Sequence, residues 1–375
     1  MSFKPIATPI LLLASISTAF ASDSAYQSLL KHGLRVDGPV PTQITLANHQ
    51  QKTIRLMHIT LSPTTSQKLA ANVSHILKHP TQFGLLRSGD LPAAKYLGMN
   101  DFPVLDQGQW GTCATFSTTA AIDAMFPLVD ESQVSQLCNL ELGVTLNNAG
   151  EGTDGGWQGS FGYIVLGQIN QYGYINKQYQ HTTGCGGLKN YPTDGYDNGS
   201  AMTIADFSAN SNMNFTANDW TPIVAFNGNF SPMDPATADK ALTNVKNALN
   251  QGYRVVFGSL IDPNVGQVGA AGTYNSIDNV AWVMTPQMQQ DITSNQNMEG
   301  HEIIIDGYDD NACATYNDTS GTSQKQCGLL RIRNSWGPSA GDQGDFYMSY
   351  DHFKGMVIEA YAIGDDVKDK FKPVQ

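Results

Sequence analysis

Gln107-Gly-Gln-Trp-Gly-Thr-Cys113-Ala-Thr-Phe-Ser117 is a polar, glycine-punctuated loop that becomes apolar at a cysteine. Ala114, Thr115, Phe116, Thr119, Ala120, Ala121, Ala124 and Met125 follow, and the run predicts a helix that starts near Cys113. A thiol at a helix N-terminus faces unpaired N–H groups and the positive end of the dipole. Both favour the thiolate, the nucleophilic form. Taken alone, a cysteine reads as well as a buried structural residue. The loop before it points to a nucleophile.

Two later stretches supply what a thiol nucleophile needs. Gly300-His301, followed by Ile303-Ile-Ile-Asp306-Gly-Tyr308, reads as a strand headed by a base. Leu330-Arg-Ile-Arg-Asn334-Ser-Trp336-Gly337 reads as a strand ending in a group that could orient it. Hydrolysis of a peptide bond requires such a nucleophile and base, an orienting group, and donors to the oxyanion.

The set resembles the papain-like cysteine proteases (peptidase family C1). Gln107, Gly108, Gly111, Cys113, Phe116 and Ser117 match the segment that opens that family's central helix, and Cys113, His301 and Asn334 stand in the family order. The resemblance covers about 101–360 and implies an α+β, two-lobe fold, with a helical left lobe and a β-barrel-like right lobe. It implies Cys113 as nucleophile, His301 as base and acid, Asn334 as its orienter and Gln107 as an oxyanion donor. Trp336 would shield the His–Asn contact. Gly155 and Gly156 would be the glycine pair that leaves a cleft edge open to peptide. Glu302 follows the histidine, where the family has a small residue near its main specificity pocket. A carboxylate there would favour Lys or Arg at the second substrate residue upstream of the cut. Trp110 and Thr153 stand near positions that the family bridges by a disulfide, and Ala114 replaces a tryptophan. The resemblance further implies a secreted bacterial enzyme made as a precursor, acting on polypeptides and needing no cofactor.

Met1–Ala21 has Lys4, the apolar run Ile10–Ala14 and the small-apolar-small ending Ala19-Phe-Ala21. It is the pattern of a signal peptide cut before Ser22. No later run approaches a membrane span. A secreted or periplasmic protein follows. Net charge is −12, but unevenly spread: Ser22–Lys95 holds 8 Lys/Arg against 3 Asp/Glu, and 96–375 holds 12 against 30. An acidic body is a poor nucleic-acid binder. The basic leading segment could be drawn to it.

Five cysteines leave one odd thiol. With Cys113 as nucleophile, four remain and three pairings are possible. Local closure favours Cys313–Cys327, leaving Cys138–Cys185, in a region that the family also bridges. No His, Cys or acidic cluster has zinc-site spacing, and Asp306, Asp309 and Asp310 fit no standard calcium loop. No metal is expected.

Along the chain, Gln43–Ala47 and Thr53–Leu61 read as a hairpin. Ser62-Pro63 starts a helix through about Lys78, stopped by His79-Pro80. Residues 22–98 therefore read as a propeptide of hairpin, helix and loop-rich connector, unlike the mostly helical leader usual in the family. The catalytic domain would span 99–364. Helices are expected over 132–140, 159–172 and 239–250, and strands over 255–260, 301–308, 328–334, 344–349 and 355–361. Residues 181–235 read as a surface insertion and 365–375 as a frayed polar tail. Two rival functions stay open: a side-chain amidase, deamidase or acyltransferase on the same fold, and a non-catalytic peptide-binding module.

Overall fold

The computed structural model describes residue 28 and residues 31–81, 91–126, 128, 130–150, 154–261, 271–272, 280–294, 298–318 and 320–374. The expected signal peptide and part of the connector lie outside these residues. β1 (Leu34–Thr45) and β2 (Gln51–Leu61) form an antiparallel hairpin that runs from Leu34 opposite Leu61 to Thr45 opposite Gln51, with a register shift between Val36 and Pro39. β1 begins earlier than Gln43, the expected start. It pairs with β2 and so lies at the sheet margin, where Pro39 and Pro41 remove no ladder bond that a central strand would need. α1 (Pro63–Lys78) follows, with Pro63 in its first turn. The Ser62 side chain accepts from Thr65 N at 3.2 Å, one of the helix's otherwise unpaired donors. Leu69, Val73 and Ile76 line its buried face.

β3 (Ala94–Tyr96) leads into the helical half: α2 (Cys113–Met125), α3 (Gln136–Asn148), α4 (Gly162–Tyr172), α5 (Lys177–Thr182) and α6 (Ile204–Asn210). α3 starts later than Ser132 because Ser135 caps it, its hydroxyl accepting from Cys138 N at 3.0 Å. The other half is β4 (Trp220–Val224), α7 (Pro235–Asn250), β5 (Arg254–Ile261), β6 (Ala271–Gly272), β7 (Ala281–Trp282), α8 (Pro286–Thr293), β8 (Met298–Asn317), β9 (Ser323–Arg333), β10 (Asp345–Ser349), α9 (Tyr350–Met356) and β11 (Val357–Ile363). Its strands run β4-β11-β5-β8-β9-β10-β7, with β2, β3 and β6 also on β8. The long β8 is the hub, and it carries His301.

Three expectations need correcting. Residues 181–235 are not a bare excursion: they contain α6, and β4 extends the sheet by pairing with β11. The segment 355–361 is helical through Met356, and the strand begins at Val357. The last residues are not frayed. Val367, Phe371 and Val374 are buried in the main core, and Val374 exchanges backbone hydrogen bonds with Ile223 and Ala225. Three apolar side chains in a polar tail suffice to dock it.

Both expected disulfides are present. Cys313 and Cys327 lie opposite one another on β8 and β9, and Cys138 of α3 holds the loop at Cys185. Cys113 is the free thiol. Among the described residues no helix is long and apolar enough to cross a membrane.

Candidate active site

Cys113 is the first residue of α2, and its capping residue Thr112 gives no side-chain bond to the first turn. The N–H groups there are free to act on the sulfur, and those of Cys113, Ala114 and Glu302 do so. Ser117, one turn on, donates to the Glu302 carbonyl at 2.7 Å and fixes α2 against β8. The thiol therefore lies beside the residue that follows His301.

His301 Nε2 meets Asn334 Oδ1 at 2.8 Å, so Asn334 sets which nitrogen carries the proton. Asn334 Oδ1 also accepts from Ser335 N at 2.7 Å, which holds the amide in place. Nδ1 of His301 has no hydrogen-bond partner. Trp336 stacks on the imidazole, ring centres 4.9 Å apart, and Trp282 backs Trp336 at 5.8 Å. A helix presenting the cysteine faces a sheet that presents His301 on β8 and Asn334 just past the end of the neighbouring β9. The fold is papain-like.

No protein-family model matches the sequence, and no curated protein matches it. Solved structures do. The cysteine protease xylellain from Xylella fastidiosa is 17% identical, over 76% of this chain and 90% of that one, at TM-score 0.47. Digestive procathepsin L 3 from the larval midgut of Tenebrio molitor is 15% identical, over 80% and 79%, at 0.43. Procathepsin B S9 from Trypanosoma congolense is 12% identical, over 76% and 82%, at 0.44.

Gln107 is fully buried and held on three sides. Its N–H donates to the Ser335 carbonyl at 2.8 Å, its Oε1 accepts from Ser335 Oγ at 2.7 Å, and its carbonyl accepts from Tyr191 Oη at 2.9 Å. Its Nε2 donates to the Trp110 carbonyl at 2.9 Å and to the Arg55 carbonyl of β2 at 3.3 Å. A leader carbonyl thus engages the side-chain donor that the sequence suggests for an oxyanion. Tyr191 was not legible as part of the site. It comes from the supposed insertion, stacks on Trp157 and reaches Thr112 Oγ1 at 2.9 Å.

Gly155 and Gly156, the expected glycine pair, line a cavity of about 290 Å³ together with Thr115 and Tyr163. A Cβ on Gly155 would come within 2.9 Å of Val144 Cα, and one on Gly156 within 3.0 Å of Leu140 Cδ2. An added side chain at either would thus collide with α3. Gly159 is the glycine that faces the leader: a Cβ there would meet Met57 at 2.7 Å. Trp110 packs edge-on against Trp157 at 5.0 Å, an aromatic contact near the bridge position that Trp110 leaves without a cysteine. Thr153 lies outside the described residues. Among those described, no group of three or more His, Cys, Asp or Glu converges as a metal site requires.

β2 covers all this. It pairs antiparallel with β8, Met57 opposite Gly300 and Ile59 opposite Met298. Leu34, Ile54, Leu56, Met57, Ile59, Leu61, Leu69, Val73 and Ile76 of the leader belong to the same buried cluster as β5 and β8. At about 1.5–3 kcal/mol for each fully buried apolar side chain, packing outweighs the charge asymmetry as the docking force. Lys52 adds a polar latch, 2.6 Å from Asp106 and 2.8 Å from the Trp336 carbonyl. Asp106 is more than a third exposed. Lys52→Met should therefore loosen the leader by no more than about 1 kcal/mol, and iodoacetamide should alkylate Cys113 of the full chain about fivefold faster. A hundredfold increase would make this ion pair the principal latch.

Covering the site changes its chemistry. Burial pushes the Cys113 thiol up to about 12, against the N–H groups that favour its anion. Burial pulls His301 down to about 4, against the opposing effect of Asn334. In this fold burial therefore disfavours the expected thiolate. His352, buried without a hydrogen-bond partner, is held down to about 3. Both rings are neutral in the fold. Their stabilisation is complete above about pH 6.5 and drains away as pH falls to about 4 and 3. Buried carboxyls act in the opposite sense: burial raises Asp306 to about 6 and Asp123 and Glu359 to about 7. Their stabilisation is complete below about pH 4 and lost as pH rises through those values. Between pH 5 and 6 the three raised carboxyls outweigh the two depressed rings, so the full chain should melt highest at roughly pH 4 and lose stability as pH rises from there. A Tm that climbs steadily from pH 5 to pH 8 would contradict these burials.

Proposed function

We propose that the chain is the inhibited precursor of a thiol-dependent endopeptidase. The observation that carries this reading is the leader carbonyl of Arg55 on Gln107 Nε2, beside Cys113 and the His301–Asn334 pair. An extended chain already lies across the groove, which favours peptide backbone over an isolated side chain as the substrate. That observation also weighs against the amidase, deamidase and acyltransferase readings.

In the proposed reaction, His301 takes the Cys113 proton and the sulfur attacks the scissile carbonyl carbon. Gln107 Nε2 and the Cys113 N–H stabilise the oxyanion, each typically worth about 3 kcal/mol. The imidazolium protonates the leaving amine as the C–N bond breaks, giving a thioester. Water, deprotonated by His301, attacks the thioester, and the acid leaves as the proton returns to sulfur. Asn334 keeps Nε2 as the protonated nitrogen of the neutral ring.

In this reading 1–21 is the signal peptide, 22–98 the propeptide and 99–364 the catalytic domain. The two disulfides suit an oxidising compartment, outside the cell or in a periplasm. The test is to process the full chain within 82–100, mix it with a denatured protein, with and without reductant, and map products by mass spectrometry. New peptide termini that require reductant and Cys113 support the reading. Intact backbones with altered Gln or Asn side chains would replace it with the amidase reading, and no change of either kind would leave the binding module.

A further inference from the structure

Stabilising an oxyanion takes two donors aimed at one point, and here they come from two pieces of chain. Gln107 Nε2 belongs to the loop before the nucleophile, and the Cys113 N–H opens α2. Such donors act only when both lie about 2.7–3.1 Å from the same position. The loop between them, Gly108-Gln-Trp-Gly-Thr112, has two glycines and no helix or strand, so it cannot set that spacing alone.

One atom outside the loop bonds to both of its ends. Tyr191 Oη donates its only proton to the Gln107 carbonyl at 2.9 Å. Its second contact, with Thr112 Oγ1 at 2.9 Å, therefore has the threonine as donor. Thr112 is the N-cap residue of α2, yet its side chain makes no bond to the first turn. The hydroxyl is turned to Tyr191 instead, which leaves the N–H groups of that turn for the sulfur and the oxyanion.

The residues after Tyr191 fit the loop along its length. The Thr193 carbonyl accepts from Gln109 N at 3.0 Å, and the Pro192 carbonyl accepts from Trp110 Nε1 at 2.7 Å. A Cβ on Gly108 would fall 2.3 Å from the Thr193 carbonyl oxygen, so a glycine is what admits this approach. The Tyr191 ring lies parallel to Trp157 at 5.6 Å and edge-on to Phe116 of α2 at 4.7 Å. These ring contacts pack the segment, and the hydroxyl is left to bond the two ends of the loop. Burial raises the phenol, so the proton it donates stays in place.

We propose that Tyr191 is a positioning residue of the oxyanion site, its hydroxyl holding Gln107 and the start of α2 at one fixed separation. This rests on the protease reading and gives a role to a segment whose composition reads as surface insertion. Tyr191 acts through Gln107 and Thr112. Removing its hydroxyl lets the two donors drift apart and weakens a contact made only in the transition state.

The experiment uses the processed full chain, one peptide substrate and the variants Tyr191→Phe, Gln107→Ala and the two combined. Tyr191→Phe keeps the ring and should lower kcat by roughly tenfold, the scale of one or two neutral hydrogen bonds, with KM and Tm nearly unchanged. In the Gln107→Ala background the same change should lower kcat by less than about twofold, because the donor it positions is gone. If Tyr191→Phe lowers Tm sharply, Thr112→Val takes its place in the same cycle, removing the other arm and leaving the tyrosine intact. An unchanged kcat, or an equal loss with and without Gln107, overturns the proposal; the second outcome is what a purely structural tyrosine gives. If the processed chain cleaves no peptide, the protease reading has failed. Hydrogen exchange of the backbone amides of 108–113 then reads the clamp alone. Tyr191→Phe should speed that exchange by roughly tenfold, and an unchanged rate overturns the proposal.

Discussion

Cys113→Ala in the processed chain should abolish peptide-bond cleavage, with a loss on the order of 10⁶-fold in kcat, as expected when a nucleophile is removed from a unit that acts together. The fold should survive, because a single buried sulfur is lost from the start of a helix whose other anchors, such as Ser117 on the Glu302 carbonyl, remain. Asn334→Ala should lower kcat by roughly 10²-fold without removing activity, since His301 would keep its stacking on Trp336 but lose the contact that selects its tautomer. Single-turnover kinetics with circular dichroism on each variant would check both. Cleavage by Cys113→Ala at the unmutated rate would mean that another group is the nucleophile.

Processing should raise the alkylation rate of Cys113 by iodoacetamide by roughly a thousandfold or more. In the full chain the thiol is wholly buried and burial pushes it up to about 12, so the neutral thiol predominates at pH 7. Once β2 has left, the same sulfur lies at a helix N-terminus, which favours its anion, and in the proposed reaction His301 takes its proton. The full chain's rate should climb steeply above about pH 9, whereas the processed chain should label readily near neutrality. Without reductant the other four cysteines are tied in disulfides, so the label reads Cys113 alone. Equal rates before and after processing would show that the leader does not cover the thiol in solution.

Much of the fold was legible because local rules and tertiary context agree. Ser62-Pro63 starts α1, and the apolar run after Cys113 is α2. His301 sits on β8 and Asn334 directly follows β9, the strand paired with it, as their flanking β-formers suggest. What escaped depends on long-range register. Glu359 becomes Glu302's neighbour only because Gly258 pairs with both. Tyr191 reaches Gln107 from a segment whose composition looks like surface loop. The glycine facing the leader is Gly159 because the turn at Gly155-Gly156 tucks under α3. The raised thiol could not be read from its helix position, since burial in the folded chain outweighs the N–H groups there.

The pairing of β2 with β8 has a consequence beyond concealment. A leader that contributes a rung of sheet and nine core side chains cannot depart like a plug. Its departure strips the backbone groups of 298–300 of their ladder partners and leaves an open strand margin next to the nucleophile. Such a margin captures any extended polypeptide by main-chain pairing, whatever its sequence. The same margin can pair with a second processed molecule, so unfed enzyme would be prone to consume or aggregate with its own kind. If the chain is the proposed precursor, its leader would best be released where foreign polypeptide is already abundant.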